Sequence, residues 1–149
     1  MDTACTLLSP TDLDVVYLLV LGAQRPTIAR DLRLTTRAVD QRVAGIKRII
    51  GAPDRFGLGV AAIRRRLVNP TYPVAHASAR RADAEWVLPT KRQYEFLRLR
   101  STGSTVDQVT EKTGMSASSV RQQLARLATR NGASNAVSAG ALFEALGWT

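Results

Sequence analysis

Apolar residues recur at three- and four-residue spacing along most of this chain of 149 residues, which is the pattern of amphipathic helices. The first helix is predicted to start at Ser9-Pro10, where serine suits the cap and proline the first helical position. Pro26 opens a short second helix, Thr35 caps a third that ends at Gly51, and a fourth is predicted over about 58–67. Because no long alternating run is present, the sequence predicts an all-α fold.

The pattern returns after a shift of 81 residues, without a gap. Seven of the 40 positions from Val15 to Asp54 are identical at this shift, among them Gly22 with Gly103 and Gln41 with Gln122. Most of the matching positions fall where a helical unit needs an apolar face, a cap or a closing glycine. The sequence therefore predicts two copies of one small helical unit.

The second copy follows the same plan. Its first helix opens at Pro89-Thr90, Val106 marks the short second helix, and Ser116 caps the third. A last helix is predicted over about 136–146. Each copy is thus expected to be a four-helix unit that contains a helix-turn-helix.

Two domains and a linker are predicted from this repeat. The first domain is expected over 1–68, the linker over 69–84, and a second, more divergent domain over 85–149. Two prolines favour an extended conformation in the first part of the linker, whereas its alanine-rich second part is able to form a helix. Each unit is near the lower size limit for an independent core, so the two units are expected to stabilise each other.

The charge of the chain indicates a polyanionic partner. The net charge is +9, and both copies are basic. Arginine strongly outnumbers lysine, which favours paired hydrogen bonds to phosphate or guanine. The sequence therefore favours nucleic acid, with an acidic membrane surface as the other polyanion that this charge suits.

Catalytic and metal chemistry have little support in the sequence. Cys5 is the only cysteine and His76 the only histidine, so an internal disulfide, a cysteine metal site and a histidine-pair metal site are all excluded. We expect a protein that is not an enzyme and that has no catalytic residues, no metal and no cofactor.

The sequence predicts a reduced, cytoplasmic protein that is nucleoid-associated when bound to DNA. The longest apolar run, over 15–21, is too short to span a membrane. Asp2, Asp12 and Asp14 interrupt the pattern of a signal peptide.

Residues 8–67 resemble the LuxR-type helix-turn-helix, also called the GerE domain. The resemblance starts at Leu8-Ser9-Pro10-Thr11-Asp12, includes Gly22, and continues through Ile28-Ala29, Ala38-Val39 and Ile50-Gly51. The second copy matches the family pattern less closely. Its departures include Thr113 in place of a leucine and Arg100 in place of an apolar residue, and Arg33 replaces the turn glycine in the first copy.

The resemblance implies how each unit would meet DNA. The third helix enters the major groove, the short second helix braces it on the backbone, and the fourth helix mediates dimerisation. The implied DNA-binding residues are Thr36, Arg37, Asp40, Gln41, Ala44, Lys47 and Arg48 in the first copy, and Ala117, Ser118, Arg121, Gln122, Arg126 and Arg130 in the second.

These residues are expected to differ in role. Glutamine is able to read adenine and arginine guanine, whereas the cations farther along each helix are expected to meet phosphates. For Gln41 and Gln122, base contact and simple solvation stay equally open. The second unit either binds DNA or serves partly as a surface for protein contacts.

The leading functional hypothesis is a sequence-specific transcriptional regulator that reads two half-sites with two recognition helices. One alternative is a factor that docks on RNA polymerase as sigma-factor region 4 does. Another is a DNA-binding accessory protein of a mobile element that acts in recombination. The expected partners are double-stranded DNA, RNA polymerase, and a second copy of the chain bound through the fourth helices; no membrane partner is expected.

Overall fold

The structure, a computed structural model, describes residues 6–81 and 85–149, and its regular elements within these ranges are all α-helices. The all-α prediction is thereby confirmed. No helix in the described part combines the length and the apolar character needed to cross a bilayer. Cys5 lies outside the described residues. The helices are α1 (Pro10–Val20), α2 (Arg25–Leu32), α3 (Thr36–Ile50), α4 (Arg55–Arg64), α5 (Thr71–Arg80), α6 (Lys91–Ser101), α7 (Val106–Thr113), α8 (Ala117–Arg130) and α9 (Ala136–Ala145).

The first helix of each copy starts with a capping box. Ser9 Oγ accepts a hydrogen bond from Asp12 N at 3.1 Å, and the Asp12 carboxylate accepts one from Ser9 N at 3.0 Å. Thr90 and Gln93 repeat the arrangement at the start of α6. These bonds satisfy backbone donors that have no partner within the helix. The predicted helix starts at Ser9-Pro10 and Thr90 are confirmed.

The fourth helix starts earlier than predicted. It begins at Arg55 rather than near Leu58, because Asp54 acts as its cap and accepts a hydrogen bond from Gly57 N at 2.9 Å. The first turn of α4 includes a glycine, so its start does not show in the apolar spacing.

The expected extended conformation at the start of the linker is wrong, because α5 begins at Thr71. Thr71 N donates to the side chain of Asn69 at 2.9 Å. Pro73 lies in the first turn, where a missing N–H removes no helical hydrogen bond. The helix packs on the body of the protein: the ring of Tyr72 meets that of Tyr17 edge-on, with centroids 5.8 Å apart.

Helices α4 and α9, the fourth helices of the two copies, pack closely against each other. The apolar core of the first copy includes Val137 and Ala141 of α9, and the core of the second includes Phe56 and Val60 of α4. The two copies therefore share their cores across this helix pair. Such sharing gives each copy apolar burial that a unit of this size would lack alone.

The contact between α4 and α9 is reciprocal. A Cβ atom on Gly59 would overlap the carbonyl oxygen of Val137, and a Cβ atom on Gly140 would overlap that of Phe56. Gly140 lies 81 residues after Gly59, and Val137 lies 81 residues after Phe56. Contacts in which residue i meets j and j meets i are those of a two-fold symmetric dimer. The contact between α4 and α9 thus has pseudo-two-fold symmetry within the single chain.

Candidate nucleic-acid interface

The segment predicted as the first helix-turn-helix consists of α2, a tight turn and α3. Arg33, the first residue of the turn, adopts a left-handed conformation with φ 55° and ψ 44°. Leu34 N donates to Ala29 O at 2.8 Å, which satisfies a carbonyl at the end of α2. Thr35 then caps α3 by accepting a hydrogen bond from Ala38 N at 3.0 Å. The turn forms without the usual glycine, at the cost of a left-handed arginine.

The segment predicted as the second helix-turn-helix, α7 and α8, has a turn of the same kind. Gly114 takes the left-handed position with φ 73°. Ser116 caps α8 by accepting a hydrogen bond from Ser119 N at 3.1 Å. The predicted caps Thr35 and Ser116 are confirmed, and they stand at equivalent positions of the repeat.

The outer face of α3 carries most of the first predicted set. The inner stripe of Val39, Val43, Ile46 and Ile50 is buried, as expected. The exposed residues on the other side are Thr36, Arg37, Gln41, Ala44 and Arg48, and Lys47 is half-buried. Arg37 and Gln41 are one turn apart near the start of the helix, so they lie on one face.

Asp40 differs from its neighbours because it is bound within the protein. Its carboxylate lies 2.7 Å from Arg25 Nη1 of α2 and 3.8 Å from Arg55 Nη2 of α4. These ion pairs link three helices around the start of α3. Asp40 therefore helps to hold α3 in position, and any contact of Asp40 with a ligand would first require these ion pairs to open.

The outer face of α8 carries the second predicted set. Val120 and Leu127 are buried on its inner side. The exposed residues are Ser118, Arg121, Gln122, Arg126 and Arg130, and Ala117 is half-buried. The two glutamines occupy the same place in the two copies, but the first copy has Arg37 where the second has Ser118.

The cations on these two faces form no ion pair with another residue of the described ranges. They are Arg37, Lys47, Arg48, Arg121, Arg126 and Arg130. A cation without a carboxylate partner is free to neutralise a phosphate without first breaking an ion pair. The electrostatics of both faces are thus suited to an anionic ligand.

Arg100 is part of the contact between the two copies. Its Nη1 atom forms an ion pair with Asp54, the cap of α4, and donates to Ser104 O at 3.1 Å. Its guanidinium also lies over the ring of Phe56, 4.9 Å from the centroid. A buried arginine is tolerated here because it is both paired and hydrogen-bonded.

The equivalent contact on the other side uses Asn135, which caps α9. Its Nδ2 atom donates to Leu19 O, in the last turn of α1, at 3.2 Å and to Ala23 O, in the loop that follows, at 3.3 Å. Asn135 is the repeat equivalent of Asp54, and Leu19 that of Arg100. The shift of 81 residues relates these two contacts to each other, whereas the periodicity of single helices does not reveal them.

Comparison with known proteins adds no family. No protein-family model matches the chain, and no curated protein or solved structure matches it. The LuxR-type resemblance therefore stays a prediction that rests on the residues of this chain.

Proposed function

We propose that this chain is a sequence-specific DNA-binding transcriptional regulator that reads two half-sites, one with α3 and one with α8. One observation carries the proposal: two helix-turn-helix units, each with a cationic and amide-bearing outer helix, are held together by a reciprocal pair of fourth helices. Dimeric helix-turn-helix proteins present two recognition helices to successive major grooves through such symmetry.

The residues on α3 and α8 divide into two roles under this proposal. Arg37 and Gln41 lie near the N-terminal end of α3, the end that reaches base edges in this motif. Paired hydrogen bonds from arginine suit guanine and those from glutamine suit adenine. Lys47 and Arg48 lie in the last turn of α3, where a cation meets the phosphate backbone.

The α8 helix would work in the same way with a different set of residues. Arg121 and Gln122 replace Asp40 and Gln41 of the first copy, and Arg126 and Arg130 serve as phosphate contacts. Because the two outer faces differ, the two half-sites would differ in sequence. The position of Arg37 is taken by Ser118, which offers one hydroxyl instead of a guanidinium.

The test is a genome-wide binding map followed by footprinting of the full chain on the bound sequences. We expect two protected half-sites about one helical turn, roughly 10 base pairs, apart. The affinity should be steeply salt-dependent, with a log–log slope near −5 if about six phosphates are neutralised. A random duplex is the control, and it should show a similar slope at much lower affinity.

Four results would contradict this function. The first is no binding to any duplex at low salt. The second is protection of one half-site only, which would remove α8 from DNA. The third is co-purification with RNA polymerase without promoter protection by the protein alone, which would support the polymerase-docking alternative. The fourth is protection confined to recombination sites, which would support the accessory-protein alternative.

A further inference from the structure

A cavity of about 340 Å³ lies between the second recognition helix and the fourth helices. Its walls are mostly apolar, with Leu124 and Ala128 from α8, Ala139 and Phe143 from α9, and Phe56 from α4. This volume is at the lower end of the range of about 300–1,000 Å³ typical of small-molecule sites.

The cavity marks a break in the symmetry between the two copies. In the first copy, Asp40 is held by Arg25 and Arg55. The equivalent positions in the second copy are Arg121, Val106 and Ala136, and all three line the cavity. Two long cations and their carboxylate have been replaced by two short apolar side chains and one cation. The second copy therefore has open apolar space and an arginine without a carboxylate where the first copy has ion pairs.

The polar groups in the cavity favour an anion. Arg100 is only 7% exposed, and its Nε atom has no hydrogen-bond partner, while its Nη1 atom is bound to Asp54 and Ser104. Arg121 forms no ion pair with a described residue, and none of the lining residues is acidic. A buried N–H without a partner is costly, so a ligand that accepts its hydrogen bond gains affinity.

We propose that this cavity is a binding site for a small organic carboxylate with an apolar tail. The carboxylate accepts hydrogen bonds from Arg100 Nε and from the guanidinium of Arg121. The tail lies against Leu124, Ala128 and Phe143, where it removes apolar surface from water. A few directional polar groups at one end of an apolar pocket are the usual composition of a small-molecule site. This site goes beyond the proposed function, because binding of the ligand does not require DNA.

The experiment is calorimetric titration of the full chain with octanoate, below its micellar concentration. Octylammonium and octanol are the controls, because they have the same tail with a cationic or a neutral head. We expect saturable binding of one octanoate per chain, at least tenfold weaker binding of octanol, and no saturable binding of octylammonium. Absence of saturable octanoate binding, or equal affinity for octylammonium, would overturn the proposal.

Two variants locate the site. Ala136 is exposed at the mouth of the cavity, so Ala136→Phe should block it and abolish octanoate binding. Ala75→Phe, on the exposed side of α5, is the matched control and should bind as the parent does. Arg121→Met keeps the apolar stem and removes the charge, so it should weaken binding about tenfold.

Unchanged octanoate affinity in either variant would overturn the proposal, provided that the variant is folded. Circular dichroism establishes that each variant retains its helices. Octanoate affinity that is unchanged in a folded Ala136→Phe protein places the ligand elsewhere and overturns the assignment. Unchanged affinity in Arg121→Met overturns the role of the carboxylate, and because Arg121 is on the protein surface, this variant tests the proposal even if Ala136→Phe fails to fold.

Discussion

Gly59 and Gly140 stand at equivalent positions of the two repeats, and each lies against the backbone of the helix that carries the other. Glycine allows this approach because it has no Cβ atom. Its weak helix propensity is a cost that both fourth helices bear at this position. The contact between the copies is therefore made by backbone, and it leaves no room for a side chain at its centre.

We expect Gly59→Ala and Gly140→Ala each to lower the free energy of unfolding by about 2 kcal/mol, because the added methyl group must push two helix backbones apart. Denaturant unfolding followed by circular dichroism measures the effect. Gly45→Ala, in the middle of α3 with open space around it, is the control and should stabilise the protein by up to about 1 kcal/mol. A Gly59→Ala protein as stable as Gly45→Ala would mean that the two fourth helices are not packed this closely.

Removal of the carboxylate of Asp54 should destabilise the protein more than loss of a helix cap alone. Asp54→Ala removes the cap of α4 and leaves the charge of Arg100 buried without a carboxylate. We expect the free energy of unfolding to fall by about 3 kcal/mol. This value is at the lower end of the range for a broken buried ion pair, because a third of the Asp54 side chain is exposed.

The same pair has an informative control in Asp54→Asn, which copies Asn135 of the other repeat. Asparagine keeps the cap, so this variant should lose clearly less stability than Asp54→Ala in the same unfolding experiment. Equal losses in the two variants would show that the negative charge, and not the cap, accounts for the whole effect. Losses below about 1 kcal/mol in both would contradict the ion pair with Arg100.

The turn before α3 offers a stabilising substitution. Arg33 is left-handed, a conformation that costs a residue with a Cβ atom about 1 kcal/mol, and glycine avoids this cost. Arg33→Gly should therefore raise the free energy of unfolding by about 0.5–1 kcal/mol, and Gly114→Ala should lower it by a similar amount. A loss of stability in Arg33→Gly would indicate that the arginine side chain makes a contact worth more than the strain.

The proposed division of roles on α3 predicts two kinds of variant. Arg37→Ala or Gln41→Ala should cost roughly 1–3 kcal/mol on the cognate site and relax its sequence preference. Lys47→Ala should weaken binding to cognate and scrambled DNA alike. It should also reduce the slope of log affinity against log salt concentration by about one unit. Titrations on both duplexes at several salt concentrations separate these effects.

The second unit has a matched series, in which Arg121→Ala and Gln122→Ala are compared with Arg126→Ala. If the Arg37→Ala and Gln41→Ala proteins are both folded and bind cognate DNA as tightly as the parent, α3 does not read bases. If none of the α8 variants changes DNA affinity while the α3 variants do, α8 has a role other than DNA contact.

The helices were predictable from the sequence because their signals are local. Ser9, Thr35, Thr90 and Ser116 each act through a hydrogen bond to a residue three positions on, so the sequence alone places these caps. The inner stripe of α3 follows directly from helical periodicity. The α5 helix was missed in its first turn, because Pro73 suggests extended chain unless its position within the helix is known.

The contacts between distant residues were not predictable in the same way. Asp40 has the spacing of an outward-facing residue, and only the positions of Arg25 and Arg55 show that it is bound within the protein. Gly59 and Gly140 look like weak points of their helices when each is considered alone. They become meaningful only as a pair, because the close approach of two helices depends on both partners at once.

Because both units belong to one chain, occupancy of a target would depend on protein concentration in a different way from that of a dimer. A dimer of separate chains dissociates on dilution, so its bound fraction falls faster than the protein concentration. The α4–α9 contact lies within one chain and does not depend on concentration. In a cell with only a few molecules of the protein, the two units of each molecule would stay paired. Occupancy of the target would then rise in proportion to newly made protein, without a threshold concentration.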